Sequence, residues 1–477
     1  MKEEKLKKKI VVGLVSIWAG GGHNALRDFL LEELQSDKRF ELHSYTHRDS
    51  SFDFVNDNVF GKMGPFVDLL YKNAPGEYSS ISAIKLVKEC ESFLRQYNPD
   101  MVIGTNFGVT AAFELIKKSL KLNFVNVMAI PDYGIPSIAY FPNNRYTRAD
   151  RVLVFDPESK RGLVKERKYP AEKIVVSGYL TKKSTRDYVK TLRHKTKEQL
   201  VREIRLDIGK NFGADISPAK KTFMIAGGAG GIIHKSNDLL SEIAKYQRLN
   251  PSFVDKNQFL VITGKTDSFF NKINHHRIRK ENGWENIIPI PWIEHKTYAK
   301  IQMLSDFPIL ITVAPASINE LLETSCGPIV VYKHRYAQEK SNVNFVVKSG
   351  FGYYVPKKKN ILKIIQNGFT QAERERFLKN SNKYRSVQLK KIQLLPDDIY
   401  DMYISAVKPK LKNNPDWRHM KINFGLISPI VWFYILLMML PASVLFGFVQ
   451  YKKGKNKIFN NKYAQGLAKL IGQYYPF

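Results

Sequence analysis

KKIVVGLVSIWAGGGHNALRDFLLEEL, residues 8–34, reads as a buried strand, a glycine turn and the first turns of a helix. Ile10–Ile17 is a short apolar run rich in β-branched residues, Gly20-Gly21-Gly22 lets the backbone turn sharply, and Ala25–Leu34 carries apolar side chains at helical spacing. Such a unit presents unpaired backbone N–H groups at a helix N-terminus, a ready site for an anion. His23 adds what a phosphate loop lacks, an imidazole at the start of the helix that can take a proton. Tight packing alone also accounts for a glycine turn after a strand. The spacing is neither GxGxxG nor GxxxxGKS/T, so a dinucleotide fold or a P-loop is not supported.

Working outward, the same pattern repeats. FELHSY (40–45), MVIGT (101–105), NFVNVMAIPDYG (123–134, reaching Asp132), RVLVFD (151–156) and KIVVSGYL (173–180) are candidate strands separated by helical stretches. Residues 52–73 are aromatic and apolar without alternation, which fits either a core loop or a lip that touches something greasy. Residues 181–219 are highly charged with no strand signal and read as a linker followed by a helix. The pattern then restarts with TFMIAGGAGGI, FLVITGK, NIIPIPWI, FPILITVAPAS and GPIVVYK, all with helical stretches between. Strands alternating with helices predict parallel sheets. The expected fold class is therefore α/β, with two Rossmann-like domains facing a cleft. The expected boundaries are 1–200 and 201–370 for the two domains, 371–423 for a basic helical extension, 424–450 for a membrane-embedded segment and 451–477 for a basic tail.

The charge is unusual for an otherwise ordinary composition. Across 477 residues, 75 Lys and Arg against 44 Asp and Glu leave +31, which predicts a polyanionic partner. Zinc-ligand spacing and RNP-like strands are both missing, so an anionic membrane surface is expected and nucleic acid is not. Residues 424–450 contain no charge over 27 positions, more than the roughly 20 needed to span a bilayer. Lysines flank both sides, and Pro429 and Pro441 would each break a helix, so a re-entrant hairpin competes with one spanning helix. Either arrangement places the chain at a membrane, with its catalytic domains expected on the cytoplasmic side. The Lys-rich leader reads as a solvated tail rather than a signal peptide, because the apolar run passes straight into an amphipathic helix. Cys90 and Cys326 are far apart, form no metal-ligand pattern and fit free thiols in a reducing compartment.

The stretch 308–356 concentrates the polar groups. Ala314-Pro315-Ala316-Ser317 leads from a strand into a helix whose expected N-cap is Ser317, a second anion site. Glu320, one turn in, suits a two-oxygen grip on vicinal hydroxyls such as those of a ribose. It is equally explained as a first-turn carboxylate complementing the helix dipole. Gln338, Glu339 and Asn342 follow the next strand and would aim acceptors at sugar hydroxyls, or simply form a solvated polar helix start.

Together, the GGGH turn, Asp132 after a strand, the glycine turn 227–231, VITGK at 261–265, APASINELLE and QEKSN resemble a known group. These motifs are similar to those of the monogalactosyldiacylglycerol synthases and diacylglycerol glucosyltransferases, which share glycosyltransferase family 28 with the MurG-type transferase. The resemblance covers about residues 8–370. It implies a GT-B fold and an inverting, metal-independent transfer from a UDP-sugar to a lipid acceptor, with no cofactor. Carried over, it makes His23 the base or an acceptor-positioning residue, with Asp132 as a second catalytic residue. The N–H groups of Ala316 and Ser317 would hold the diphosphate, together with Gly22, Gly228 and Gly230. Glu320 would hold the ribose, Trp292 and Ile293 would flank the uracil, and Gln338, Glu339 and Asn342 would hold the sugar. The acceptor side departs from the family pattern at Pro131 before Asp132 and at Thr105-Asn106-Phe107-Gly108, where relatives tend to have His-Pro. Two other readings stay open: a MurG-like UDP-N-acetylglucosamine transfer to a polyprenyl-diphosphate-linked acceptor, and a non-catalytic membrane scaffold.

Overall fold

A computed structural model describes residues 9–17, 21–47, 75–134, 149–209, 216–227, 236–264, 267–278, 280–334 and 339–406. All of them fall within one compact unit, Met1–Ile422. Residues 52–73, Gly228, Gly230, Gln338 and the uncharged stretch 424–450 lie outside the described residues. Among the described residues no helix is long and apolar enough to cross a membrane.

Two parallel six-stranded sheets carry the described chain. The first contains β1 (Ile10–Ile17), β2 (Phe40–His47), β3 (Met101–Gly104), β4 (Val125–Ala129), β5 (Arg151–Val154) and β6 (Ile174–Val176), in the order β2-β1-β3-β4-β5-β6. The second contains β7 (Lys221–Ala226), β8 (Asn257–Gly264), β9 (Ile287–Pro291), β10 (Phe307–Leu310), β11 (Ile329–Val331) and β12 (Gly352–Tyr354), in the order β12-β11-β10-β7-β8-β9. Near-continuous apolar runs such as IVVGLVSI and MVIG are what parallel strands need, since crossover helices leave no face for polar alternation. The three-residue β12 (GYY) lacks the branched aliphatic run that marks the equally short β6 and β11.

The crossovers are helical. In the first half these are α1 (Gly22–Leu34), α2 (Pro75–Tyr97), α3 (Phe107–Ser119) and α4 (Pro157–Arg167). Among the described residues of 181–219 there are two helices, α5 (Lys183–Leu192) and α6 (Lys197–Ile208), the second opened by a Thr196–Gln199 capping box. The second half follows with α7 (Asn237–Leu249), α8 (Pro251–Lys256), α9 (Asp267–Ile278), α10 (His295–Leu304), α11 (Pro315–Thr324), α12 (Glu339–Lys348) and α13 (Lys358–Asn367). Finally α14 (Gln371–Gln393) and α15 (Leu395–Ala406) return to the first half. There Gln388 Oε1 accepts the Tyr179 N–H at 3.1 Å, and Asp397 accepts from Arg39 at 2.8 Å. The basic extension is thus used to bridge the two sheets.

Strand order locates the clefts. In each sheet the chain leaves adjacent strands in opposite directions, between β1 and β3 and between β7 and β10, and ligands of open α/β sheets bind outside such switch points. The register pairs Val15 with Gly104 and Ala226 with Leu310, so the turns after each pair open side by side. One apolar cluster runs from Val12 and Leu14 through Tyr133 and Tyr179 to Leu310, Ile318 and Val343, joining the two halves through a shared core.

Gly178, on the crossing between halves, is where the returning helix comes closest. A Cβ there would stand 2.6 Å from the Gln388 carbonyl oxygen and 2.7 Å from the Ile392 nitrogen. Those are backbone atoms and cannot rotate aside. Gly178→Ala is expected to cost about 1–3 kcal/mol through overpacking, seen as a lower thermal midpoint. An unchanged midpoint would show that α14 is not held at this point.

Candidate functional site

The turn after β1 reaches α1 through Gly21, whose φ of 85° lies in the left-handed region that favours glycine. Among the described residues nothing comes within 4 Å of a Cβ placed on Gly22. His23 follows, half-buried in the first turn of α1. Its Nδ1 lies 2.5 Å from the Thr105 carbonyl oxygen in the neighbouring turn after β3. A carbonyl only accepts, so Nδ1 carries the hydrogen and Nε2 of the neutral ring is the lone-pair nitrogen. Asn106 Nδ2 approaches that nitrogen at 3.3 Å, while its Oδ1 caps α3 by accepting the Gly108 N–H at 2.8 Å. Burial lowers the His23 pKa from its ordinary value; Asp132 and the Thr105 hydrogen bond oppose this.

The second anion site is built differently from the sequence expectation. The N-cap of α11 is Ala314 in extended conformation, with Pro315 in the first turn and no side-chain cap. Proline suits that position because it has no N–H to satisfy and its φ is already helical. Ser317 therefore lies inside the helix and is not its cap. The shift leaves the N–H groups of Ala316 and Ser317 in the first turn without a side-chain acceptor, as an anion site requires.

Glu320 stands one turn further, its side chain 14% exposed, with Oε1 3.5 Å from His295 Nδ1. Burial raises its pKa, and the charges of His295 and Lys182 offset part of the rise. Trp292 is 49% exposed, while Ile293 packs against the core just ahead of α10. Glu339 opens α12.

The two turns belong to one region, because α1 and α11 pack against each other. Tyr179, fully buried between them, reports the same convergence. Burial foremost raises its phenol well above the usual range, and Tyr133 and the carboxylates of Glu320, Asp132 and Asp28 add to it.

No protein-family model matches the chain, and no curated protein matches it by sequence. Solved structures do match. The UDP-GlcNAc 2-epimerase of Neisseria meningitidis, solved bound to UDP-GlcNAc, is 14% identical over 83% of this chain and 100% of its own, with a TM-score of 0.51. A putative UDP-N-acetylglucosamine 2-epimerase from Listeria monocytogenes is 13% identical over 84% and 99%, at 0.52. The glycotransferase of kitacinnamycin is 10% identical over 82% and 99%, at 0.51. The chain shares their fold. Its two facing parallel sheets are a GT-B type arrangement.

Asn342 is spent between the halves. Wholly buried, it donates from Nδ2 to Asp132 Oδ1 and to the Val313 carbonyl, both at 3.0 Å, and accepts the Tyr133 N–H on Oδ1 at 2.9 Å. All the strong contacts of its amide are thereby used on protein groups, which leaves the sugar role expected of it to its neighbours in the motif. Tyr133 is the matching wedge from the first half. Its ring stacks on Phe345 at 3.9 Å between centroids, and its hydroxyl donates to Asn319 Oδ1 at 2.9 Å and accepts from Tyr384 at 3.1 Å.

Sequence reasoning missed Tyr133, Lys182 and His295 as parts of this region, and placed Asn106 on the acceptor side without its contact to His23. Asn106 alone carried a local signal, an Asn directly ahead of a helix after a strand. The partners of the others are brought in from distant segments.

Proposed function

We propose that this protein is a membrane-associated inverting glycosyltransferase that moves glucose or galactose from a UDP-sugar to diacylglycerol or a similar lipid. The observation that carries the proposal is the uncapped start of α11 with Glu320 one turn inside it, packed against the helix that presents His23. In this mechanism His23 Nε2 takes the proton of the acceptor hydroxyl as that oxygen attacks the anomeric carbon. The bond from the anomeric carbon to the UDP oxygen breaks on the opposite face, so the configuration inverts. The departing diphosphate carries its charge to the N–H groups of Ala316 and Ser317, where the helix dipole favours it without a metal. Gly22, Gly228 and Gly230 let backbone approach the diphosphate. Glu320 accepts from the ribose hydroxyls, Trp292 and Ile293 flank the uracil, and Gln338 and Glu339 hold the sugar. Asp132 supports the positive imidazolium once the proton has arrived.

The surplus of +31 and the uncharged 424–450 support the lipid side of the proposal, with the catalytic halves at the cytoplasmic face. Purified full-length protein mixed with vesicles containing diacylglycerol is expected to release UDP from UDP-glucose or UDP-galactose. Failure to release UDP with any lipid acceptor would overturn the proposal. Preference for UDP-N-acetylglucosamine with a polyprenyl diphosphate acceptor would instead select the MurG-like reaction.

A further inference from the structure

Among the described strands β12 ends its sheet, paired with β11 on one side only. Beside it Val347 of α12, Tyr353, Tyr354, Val355, Ile364 of α13 and Phe369 line a groove of about 450 Å³. Its walls are largely apolar, yet Tyr354 is 42% and Val347 45% exposed. Contiguous exposed apolar side chains of this kind mark a contact surface. The polar groups within it are satisfied. The Tyr353 hydroxyl donates to Glu373 Oε1 and accepts from Arg376, both at 2.8 Å, while Glu373 also accepts the Thr370 N–H at 2.8 Å.

The rim carries one sign of charge. Lys358 pairs with Glu242 of α7 at 2.9 Å, and Lys359 acts on the same carboxylate from further away. Lys348 reaches Glu158 at 3.4 Å. Among the described residues no carboxylate pairs with Lys357 or Lys363. That combination selects the occupant. A second copy of this face would set lysine against lysine, and a purely apolar partner would leave the ammonium groups unanswered. An anionic bilayer satisfies both features: acyl chains fill the groove, tyrosine lies at headgroup level, and lysine stems follow the apolar wall with their charges among the phosphates. We propose that the β12 edge, with its groove and lysine rim, is a docking surface for an anionic lipid bilayer. This deepens the lipid reading given above and rests on it, by holding the second half against the membrane in addition to residues 424–450. Because β10, β11 and β12 are parallel, Lys357 leaves the sheet at the end where α11 begins.

The test needs no turnover. An environment-sensitive fluorophore is attached to full-length protein at Asn360→Cys, an exposed position on α13 one turn ahead of Ile364. The background is Cys326→Ser, since Cys90 is buried. Phosphatidylcholine vesicles containing phosphatidylglycerol are expected to shift the emission to the blue, and phosphatidylcholine alone to shift it less. Tyr354→Ser is expected to remove the shift, and so is the pair Lys357→Gln with Lys363→Gln, which leaves the groove itself untouched. Unchanged emission at position 360, whether or not the protein sediments with the vesicles, would overturn the proposal. An equal shift on neutral vesicles would do the same. A shift that grows with protein concentration without vesicles would make the partner a second copy, and one produced by polyglutamate but not by vesicles would make it an acidic chain; either replaces the bilayer. Absence of hexosyl transfer would strike the proposed function and leave this surface standing.

Discussion

Replacing His23 by alanine is expected to cut hexosyl transfer by about a hundred- to ten-thousand-fold, the usual range for loss of a positioned general base, while UDP binds as before. The two measurements separate because none of the groups assigned to the nucleotide is the His23 side chain: Glu320, Ala316 and Ser317 sit on α11, and Gly22, though on α1, offers only backbone. The pH profile follows from the sign of the shift. A base must be neutral to act, and burial places His23 below its ordinary value of 6.5. The acid limb of kcat is therefore expected below pH 6.5, with activity lost as the pH falls through the His23 pKa and retained above it. A variant that keeps its rate, or an acid limb well above neutrality, would remove His23 from the reaction.

The second large effect belongs to Glu320. Glu320→Ala is expected to weaken UDP binding by roughly a hundredfold or more, since two charge-assisted hydrogen bonds contribute about 1.5–3 kcal/mol each. Calorimetric titration of UDP into the two proteins measures it directly. The wild-type affinity is also expected to fall on acidification, because a protonated Glu320 can no longer accept from both hydroxyls. Burial raises this carboxyl above its ordinary 4.5, so the loss should begin at a higher pH than for an exposed glutamate. Equal UDP affinity in the two proteins would move the nucleotide elsewhere.

What could be read from the residues follows the range of the interactions concerned. Apolar runs such as Ile10–Ile17 and Phe307–Leu310 are strands because of their own composition, and eleven of the twelve described strands fall in segments read as strands, β2 (FELHSYTH) among them without such a run. The start of α11 was misplaced by three residues because serine is the better cap on propensity, whereas proline at 315 decides where the helix can begin. Residues 181–219 concealed a break between two helices, as their charged residues suit a linker and a helix alike. Asn342 shows the limit most clearly. Nothing within ten positions of it distinguishes a sugar ligand from a bridge to Asp132, because its partner is 210 residues away.

The chain crosses between the halves twice, once outward near Gly178 and once back along α14, and the two crossings touch at Gly178. A body tethered by one strand can swivel in any direction; one held by two passages lying side by side behaves like a door on a double-pinned jamb. The two sheets are thus joined by a paired connection, the outward and returning passages packed on each other at Gly178 and Gln388.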